Sequence, residues 1–154
     1  MQKIKEDRVR PTYETQQDLD NEASVAKVIG QKWGVDVHKL KNYFALDYAL
    51  CRDKTVVAIA EIKCRNYSYD KLDSFGGVII SAHKISEAQK WHDQFRIAFV
   101  LALKLTDGIY MHTVKAVESF PLYPLTIAGR KDRGDDQDIE PCCLISMDKF
   151  QRIS

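Results

Sequence analysis

The chain has 154 residues, of which 45% are hydrophobic and 29% are charged, and its formal net charge is +1. This length and composition predict one domain over residues 1–154 with a full hydrophobic core. A net charge near zero excludes a strong general attraction to nucleic-acid phosphates. No apolar run is long enough to cross a bilayer and the charged segment 1–10 lacks a signal-peptide pattern, so we expect a cytoplasmic chain with no membrane partner.

The first predicted element is a helix over residues 18–33, opened by polar residues at 15–18 and closed by Gly34. Its inward stripe is apolar at helical spacing, and Glu22 lies in line with that stripe. A glutamate in this position either points toward a functional site or forms a surface ion pair, for example with Lys27.

The next two predicted elements are the strands of a β-hairpin, over residues 43–51 and 55–63. A polar turn at 52–54 joins them. The second strand is apolar on both faces, which is typical of a central strand that is covered on two sides.

Glu61 and Lys63 lie at the end of this apolar second strand. Strand alternation places them on one face with Val57 and Ile59. Removing a carboxylate and an amine from water is costly unless a cation or a partner uses them, which favours a functional site. The alternative is an ordinary pair on one face of a strand end.

The register of the hairpin decides whether Asp47 on the first strand can meet Glu61. A two-residue turn at Asp53–Lys54 would pair Asp47 with Ala60 and place the two carboxylates on opposite faces. A three-residue loop centred on Lys54, or a bulge near Asp47, would set Asp47 opposite Glu61. We predict the loop or the bulge. A register with the carboxylates facing apart would favour an unrelated α/β binding protein whose Glu-x-Lys is accidental.

Beyond the hairpin, the sequence predicts a polar connection over residues 66–73 and a glycine-led strand over 75–81. Two further strands, over residues 97–103 and 108–114, are joined by a turn. Together these strands complete an α/β fold with a central mixed sheet of about five strands flanked by helices.

A second long helix lies before these last two strands, and the sequence offers two starts for it. Ser86 and Gln89 have capping-box spacing, whereas a cap at Ser81 would bring His83 and Lys84 into the first turn. The stripe that begins at Lys84 continues with apolar residues. Lys84 therefore borders the face that docks on the sheet.

The last part of the chain has the least regular pattern. Residues 120–124 form a proline-bounded connector, and residues 129–141 are expected to form a mobile surface loop. An acidic metal-binding loop is a weaker alternative there, because the spacing of a calcium hand is missing. Residues 142–147 return to an apolar strand.

The four cysteines show no Cys-x-x-Cys spacing, so free thiols are expected. Cys142 and Cys143 are neighbours, which rarely join each other. A zinc site remains an alternative that nothing in the spacing requires; its ligands would be His38, Cys51, Cys64 and His83.

Asp47 on one strand and Glu61-Ile62-Lys63 on the next resemble the core motif of the PD-(D/E)XK nuclease superfamily. Leu46 stands where the name of the motif expects a proline, which leaves the subfamily open. The resemblance implies a restriction-endonuclease-like core, ordered helix, three strands, helix, strand, over roughly residues 18–120. The small single-domain build is similar to phage nucleases and to junction-resolving enzymes.

The resemblance also implies the residues of the site. The catalytic residues would be Asp47, Glu61, Lys63, Glu22 and Lys84. Glu22 would be the first-helix acid that helps to hold a metal-bound water or a second metal. Lys84, with Gln89 as runner-up, would point at the scissile phosphate, the alternative being a solvated lysine. The metal ligands would be Asp47, Glu61 and the carbonyl of Ile62, and hard oxygen ligands suit Mg²⁺ or Mn²⁺.

These residues predict a metal-dependent nuclease that hydrolyses phosphodiester bonds of DNA through a metal-activated water, oriented with the help of Lys63. In this superfamily the products typically carry 5′-phosphate and 3′-hydroxyl ends. The alternative is a catalytically inactive nucleic-acid-binding or assembly protein that retains the nuclease fold. The sequence leaves open whether the protein forms a homodimer.

Local charge favours a nucleic-acid partner. Between Lys39 and Lys90 there are nine basic residues and six acidic ones, and bound metal would neutralise two of those acids. The residues expected to bind nucleic acid around the site are Arg65, Lys71, His83 and Lys84. Tyr67 and Tyr69 either stack on an exposed base or pack as a lid.

Overall fold

The computed structural model describes residues 15–41, 46–114, 123–129 and 139–154. The helices are α1 (Gln16–Trp33), α2 (Tyr69–Ser74) and α3 (Ala82–Phe95). The strands are β1 (Asp36–Lys39), β2 (Tyr48–Arg52), β3 (Thr55–Cys64), β4 (Val78–Ser81), β5 (Ala98–Leu105), β6 (Gly108–Val114), β7 (Leu125–Ala128), β8 (Glu140–Ile145) and β9 (Gln151–Arg152). A 3₁₀ turn, Met147–Lys149, precedes β9.

The predicted mixed central sheet is confirmed, with six strands in the order β1-β2-β3-β5-β6-β9. The pair β3 and β5 is parallel, and the other neighbouring pairs are antiparallel. The count exceeds the expected five by one, because β1 and β9, which the apolar pattern does not predict, are added at the two edges and β4 is not part of this sheet.

The predicted third strand is present but lies in another sheet. β4 joins β8 and β7 in a three-stranded sheet with the order β4-β8-β7. Gly76 and Gly77 precede β4 with φ of 88° and 130°, a conformation that L side chains rarely adopt. A Cβ at Gly77 would lie 2.1 Å from the carbonyl oxygen of Ile145. The glycine pair thus lets β4 approach β8 closely instead of extending the central sheet.

The core lies on both faces of the central sheet, as the apolar pattern of β3 predicts. On the face covered by α1, which we call the α1 face, the buried residues include Val25, Ile29, Ala60 and Ile62. On the opposite, α3 face, the central sheet packs against α3 and the three-stranded sheet; the buried residues there include Ile59, Ile80, Ala88, Leu101 and Ile145. β3 is therefore enclosed between two apolar layers.

Local capping sets the ends of both long helices. Thr15 and Asp18 form a capping box at the start of α1, and Gly34 ends the helix with a left-handed φ of 60°. At the start of α3, the side chain of Ser81 accepts a hydrogen bond from the backbone N–H of His83. Of the two predicted starts, the one at Ser81 is therefore correct, and Lys84 lies in the first turn.

The hairpin between β2 and β3 combines a two-residue turn with a bulge. Arg52 pairs with Thr55 across Asp53–Lys54, whose φ values are 49° and 64°, so the predicted three-residue loop is wrong. The predicted bulge is confirmed: the register shifts between Leu50 and Cys51, and Tyr48 pairs with Ala60. Continuing this register by one residue sets Asp47 opposite Glu61.

The bulge also changes one predicted side-chain direction. Cys51 pairs with Val56 and Leu50 pairs with Ala58, so Val57 is the additional residue on β3. Val57 packs against the core on the α1 face, whereas Ile59 lies on the α3 face. The expectation that these two residues share a face is wrong, because the extra residue interrupts strand alternation.

Other predicted segments differ in detail. The polar connection over 66–73 contains most of α2, capped by Ser68. The predicted loop 129–141 is wrong at Glu140 and Pro141, which belong to β8. Residues 130–138 of that loop lie outside the described residues, as do 1–14, 115–122 and 42–45, which include the start of the predicted strand 43–51. In the described ranges, the chain has no helix that is long and apolar enough to span a membrane.

Candidate active site

Four charged side chains from three elements meet on the α3 face. Asp47 immediately precedes β2, Glu61 and Lys63 lie near the end of β3, and Lys84 lies in the first turn of α3. The Nζ of Lys84 donates a hydrogen bond to Oε1 of Glu61 and lies 3.6 Å from Oδ1 of Asp47. The Nζ of Lys63 lies 3.6 Å from Oε1 of Glu61. We call Asp47, Glu61, Lys63 and Lys84 the carboxylate–lysine cluster.

Glu61 is the most deeply buried member of the cluster. Its side chain is 2% exposed, and its Oε2 is buried without a hydrogen-bond partner in the structure. Apolar side chains of Leu103, Ile145 and Phe150 line the space beside Glu61 and Lys63. Burying a carboxylate oxygen without a partner destabilises the folded state, so a cation or a hydrogen-bond donor that bound this oxygen would be stabilising.

The surroundings of Asp47, Lys63 and Lys84 shift their pKa values. Burial, followed by the negative charge of Glu61, raises the pKa of Asp47 to about 6. Burial lowers the pKa of Lys63, and the attraction of Glu61 offsets only part of this effect. Burial also acts to lower the pKa of Lys84, but the charges of Glu61 and Asp47 outweigh it and hold that pKa above its ordinary value.

A family model described as "Phage putative PDDEXK endonuclease" matches residues 8–153. The chain belongs to this family of phage PDDEXK endonucleases. The resemblance drawn from Asp47, Glu61 and Lys63 is therefore confirmed at the level of the family. No curated protein sequence matches the chain.

Among solved structures, the chain is similar to Hjc, a Holliday junction resolvase of the archaeal hyperthermophile Archaeoglobus fulgidus. The two chains are 16% identical, with a TM-score of 0.45. The similarity covers 60% of this chain and 74% of the resolvase chain.

The cluster of this PDDEXK endonuclease contains two carboxylates of the kind that divalent cations take as ligands. Two carboxylates lie around one lysine amine, and the unpartnered Oε2 of Glu61 is a hard oxygen donor. The negative charge of Glu61 acts to raise the pKa of Asp47, and the positive charge of Lys84 acts in the opposite direction. These residues fit Mg²⁺ or Mn²⁺. Ile62, the source of the expected carbonyl ligand, lies between Glu61 and Lys63 with its side chain in the core of the α1 face.

Histidine and cysteine do not contribute to this donor set. Within the ranges that the structure describes, no three His, Cys, Asp or Glu side chains form a group that could hold a metal. This finding is against the zinc alternative, and the four cysteines are free as predicted. The remaining ligands of an ion at the cluster would have to come from backbone oxygens, water or substrate phosphate.

Glu22 lies apart from the cluster, on the α1 face. Its Oε2 accepts a hydrogen bond from the hydroxyl of Tyr48 at 2.7 Å and from Nζ of Lys39 at 3.1 Å. Of the two alternatives that the sequence leaves open for Glu22, the structure shows the ion pair, but with Lys39 instead of Lys27. In the described part of the endonuclease, its hydrogen bonds are with Tyr48 and Lys39 and not with the cluster.

The residues expected to bind nucleic acid have different surroundings. Lys84 belongs to the cluster itself, whereas the side chain of Gln89 on α3 donates a hydrogen bond to Asp93. His83 is exposed beside Lys84, and Lys71 lies over the ring of Phe75 at 5.1 Å.

Arg65 follows β3 and donates from Nη1 to the carbonyl of Cys64 at 2.9 Å. Tyr67 is 44% exposed, whereas the hydroxyl of Tyr69 donates to the carbonyl of Met147 and is a packing contact. The sequence prediction for this endonuclease does not include Lys104, which lies on the α1 face of β5. A lysine near the end of an apolar strand was the signal that would have identified it.

Proposed function

We propose that this protein is a Mg²⁺- or Mn²⁺-dependent endodeoxyribonuclease that hydrolyses phosphodiester bonds. The observation that carries the proposal is the cluster itself: Oε1 of Glu61 lies beside the amines of Lys63 and Lys84, Lys84 also pairs with Asp47, and Oε2 of Glu61 is buried without a hydrogen-bond partner. Membership of a PDDEXK endonuclease family supports the reaction class.

Asp47 and Glu61 would hold the metal ion, together with the carbonyl of Ile62. When bound, the ion supplies Lewis-acid stabilisation of phosphate charge and makes a neighbouring water more acidic. The burial of Glu61 keeps bulk water from its carboxylate, which strengthens the attraction between the site and a cation.

Lys63 orients the attacking water in this proposal. Its Nζ lies beside Glu61, and burial lowers its pKa, so this amine gives up a proton more readily than an exposed lysine. A hydrogen bond from Nζ holds the water oxygen in line with phosphorus, and the ammonium form offsets the negative charge that develops on the phosphate.

Lys84 binds the phosphate that is to be cut. In the structure its Nζ neutralises Glu61 and Asp47. A cation held by the two carboxylates would release this amine, which would then donate to a non-bridging oxygen of the scissile phosphate. The position of Lys84 in the first turn of α3 keeps it within reach of both partners.

The decisive experiment compares Mn²⁺ binding by calorimetry with cleavage of labelled single-stranded, duplex and branched DNA and of a matched RNA strand. Glu61→Gln keeps the shape of the side chain and removes its charge. We expect it to weaken Mn²⁺ binding at least about tenfold and cleavage at least about a thousandfold. Glu87→Gln, at an exposed ion pair on α3, is the control and should match wild type.

The outcomes separate the proposal from its alternative. Wild-type protein that binds Mn²⁺ and DNA but cuts none of the substrates would favour the inactive nucleic-acid-binding protein. Wild-type protein that binds no Mn²⁺ would contradict the metal site, and cleavage of the RNA strand alone would contradict the preference for DNA.

A further inference from the structure

A second polar site lies on the α1 face, at the carboxyl ends of β3 and β5. It is a cleft of about 390 Å³, and the residues that line it include Asp18, Asn21, Cys64, Arg65, Asn66 and Lys104. β3 and β5 are parallel here, with Cys64 paired to Lys104. The cleft is therefore at the same end of β3 as Lys63, but on the other side of the sheet.

Lys104 is held in this cleft by neutral oxygens. Its Nζ donates to Oδ1 of Asn21 at 3.0 Å and to Oγ of Ser24 at 3.1 Å. An ammonium group has three donors, so these two bonds leave one N–H for another acceptor. Its neighbours along the α1 face of β5, Val100 and Ala102, are buried apolar residues.

Arg65 supplies a second half-buried cation to the same cleft. One guanidinium nitrogen donates to the carbonyl of Cys64 at 2.9 Å, and a guanidinium has five N–H donors. Among the residues that the structure describes, neither Arg65 nor Lys104 forms a salt bridge with a carboxylate.

Asp18 is the acid that lines the cleft, and its Oδ2 accepts from the backbone N–H and the hydroxyl of Thr15 at the helix start. The cleft thus carries two cations and one acid that is already hydrogen-bonded. Half-buried cations with neutral partners are costly, and an anion bound between them would offset that cost. Arginine and lysine with free N–H donors are the groups that bind phosphate oxygens.

The cleft is also close to the carboxylate–lysine cluster. Arg65 is two residues beyond Lys63, and it lies near enough to Glu61 and Lys63 for their charges to act on one another. A nucleic-acid strand that passes over the end of β3 would meet the cluster on one side of the sheet and the cleft on the other.

We propose that this cleft is a phosphate-binding subsite, in which Lys104 and Arg65 bind a backbone phosphate of the nucleic acid whose scissile phosphate lies at the cluster. The inference rests on the proposed nuclease function and assigns a substrate contact to it. Lys104 would position the nucleic-acid strand relative to the sheet. This contact is independent of base sequence, because it involves only the phosphate.

The test measures binding of a fluorescent DNA in EDTA, where no cleavage occurs, at a series of KCl concentrations. Each phosphate contact contributes about 0.7 to 0.9 to the slope of log K against log salt. We expect Lys104→Gln and Arg65→Gln each to reduce the magnitude of that slope by the amount that one phosphate contact contributes. Each should also weaken binding about tenfold at low salt. In the presence of Mn²⁺ we expect a higher KM and little change in kcat.

Two variants control for charge and for packing. Lys54→Gln removes the same charge in the turn at the opposite end of β3 and should keep the wild-type slope. Lys104→Arg keeps the charge and should also keep the slope, whereas a purely structural role of Lys104 would leave Lys104→Arg as weak as Lys104→Gln. Thermal unfolding of every variant verifies that it is folded.

Methylphosphonate linkages locate the contact on the DNA. Replacing one phosphate at a time should reveal a position that weakens binding to wild type but has little further effect on Lys104→Gln, since the same contact is already lost. Additive losses at every position would overturn the subsite.

The possible results distinguish the two proposals. If wild type binds and cuts DNA while Lys104→Gln and Arg65→Gln keep its affinity and slope, the subsite is wrong and the nuclease proposal stands. If wild type neither binds nor cuts DNA, the nuclease proposal fails and the subsite fails with it. A loss of slope in Lys54→Gln equal to that in Lys104→Gln would also overturn the subsite.

Discussion

At the scale of single residues, Asp47 and Glu61 place two carboxylates in a space that is largely closed to water. Glu61 is 2% exposed, and Asp47 has a side chain that is 29% exposed. Lys84 pairs with both acids, so its ammonium group offsets part of their negative charge. The same acids that would bind a cation are therefore a source of instability when neither the cation nor Lys84 neutralises them.

The pH dependence of stability follows from Asp47. Its pKa is raised from the ordinary value of 3.8 to about 6, so the folded state binds this proton more tightly than the unfolded state. The resulting stabilisation is fully present below about pH 4 and is lost as the pH rises through about 6. Asp47→Asn should therefore raise the free energy of unfolding in EDTA by up to about 2 kcal/mol near neutral pH and by nothing below about pH 4.

Urea unfolding across this pH range measures the effect. Asp93→Asn, at an exposed position on α3, provides the matched control and should show no such pH dependence. A stability difference between Asp47→Asn and wild type that stays constant from acid to neutral pH would contradict the assignment to Asp47.

At the scale of elements, two short-range devices bring the cluster together. The bulge opposite Leu50 and Cys51 adds one residue to β3, which returns Asp47 to the register of Glu61 despite a two-residue turn. The Ser81 cap starts α3 early enough to bring Lys84 into the first turn, beside Glu61. The bulge and the helix cap are both local features. The bulge sets the position of Asp47, and the cap sets the position of Lys84.

The start of α3 is open to a direct test. Ser81→Ala removes the side-chain acceptor of the His83 N–H and should lower the free energy of unfolding by about 1 kcal/mol. Ser86→Ala, at the other predicted cap, lies inside α3 and should be neutral or slightly stabilising, because alanine favours the helix interior. Thermal unfolding of the two variants measures the difference. The reverse order of stabilities would place the cap at Ser86.

At the scale of the whole molecule, the α3-face core joins the two sheets. Ile59, Leu101 and Leu103 of the central sheet pack in one cluster with Ile80 and Ile145 of the three-stranded sheet. Burial shared in this way couples the sheets energetically, so the prediction of one domain over residues 1–154 implies that they unfold together.

Gly77 tests this coupling, because it lies where the chain enters the three-stranded sheet. A Cβ there would be 2.1 Å from the carbonyl oxygen of Ile145, so Gly77→Ala should cost about 3 kcal/mol or more. Gly34→Ala is the matched control. Gly34 also has a positive φ, of 60°, but a Cβ there meets nothing within 4 Å, and the cost should be about 1 kcal/mol.

Circular dichroism and the fluorescence of Trp33 and Trp91 report on the unfolding of both variants. A single transition seen by both methods, shifted to lower urea in Gly77→Ala, is the expected result. Two separated transitions would contradict the one-domain prediction.

The long helices, the hairpin strands and the residues of the Asp47, Glu61 and Lys63 motif could all be predicted from the amino-acid sequence. Periodicity, caps and turn residues act over a few positions, so each can be read without knowing the rest of the fold. The sequence also predicted that the hairpin must contain one extra residue if Asp47 is to lie opposite Glu61. It did not predict whether a three-residue loop or a bulge would supply that residue.

Which elements contact one another could not be predicted from the sequence and is known only from the fold. β4 pairs with β8, more than fifty positions later in the chain, and Glu22 pairs with Lys39 and Tyr48 instead of Lys27. The contact of Lys84 with Glu61, and the cleft that joins Arg65 to Lys104, also depend on packing between distant segments. Such contacts are selected by burial and charge across the whole fold, because a local pattern gives the face of an element but not the partner that covers it.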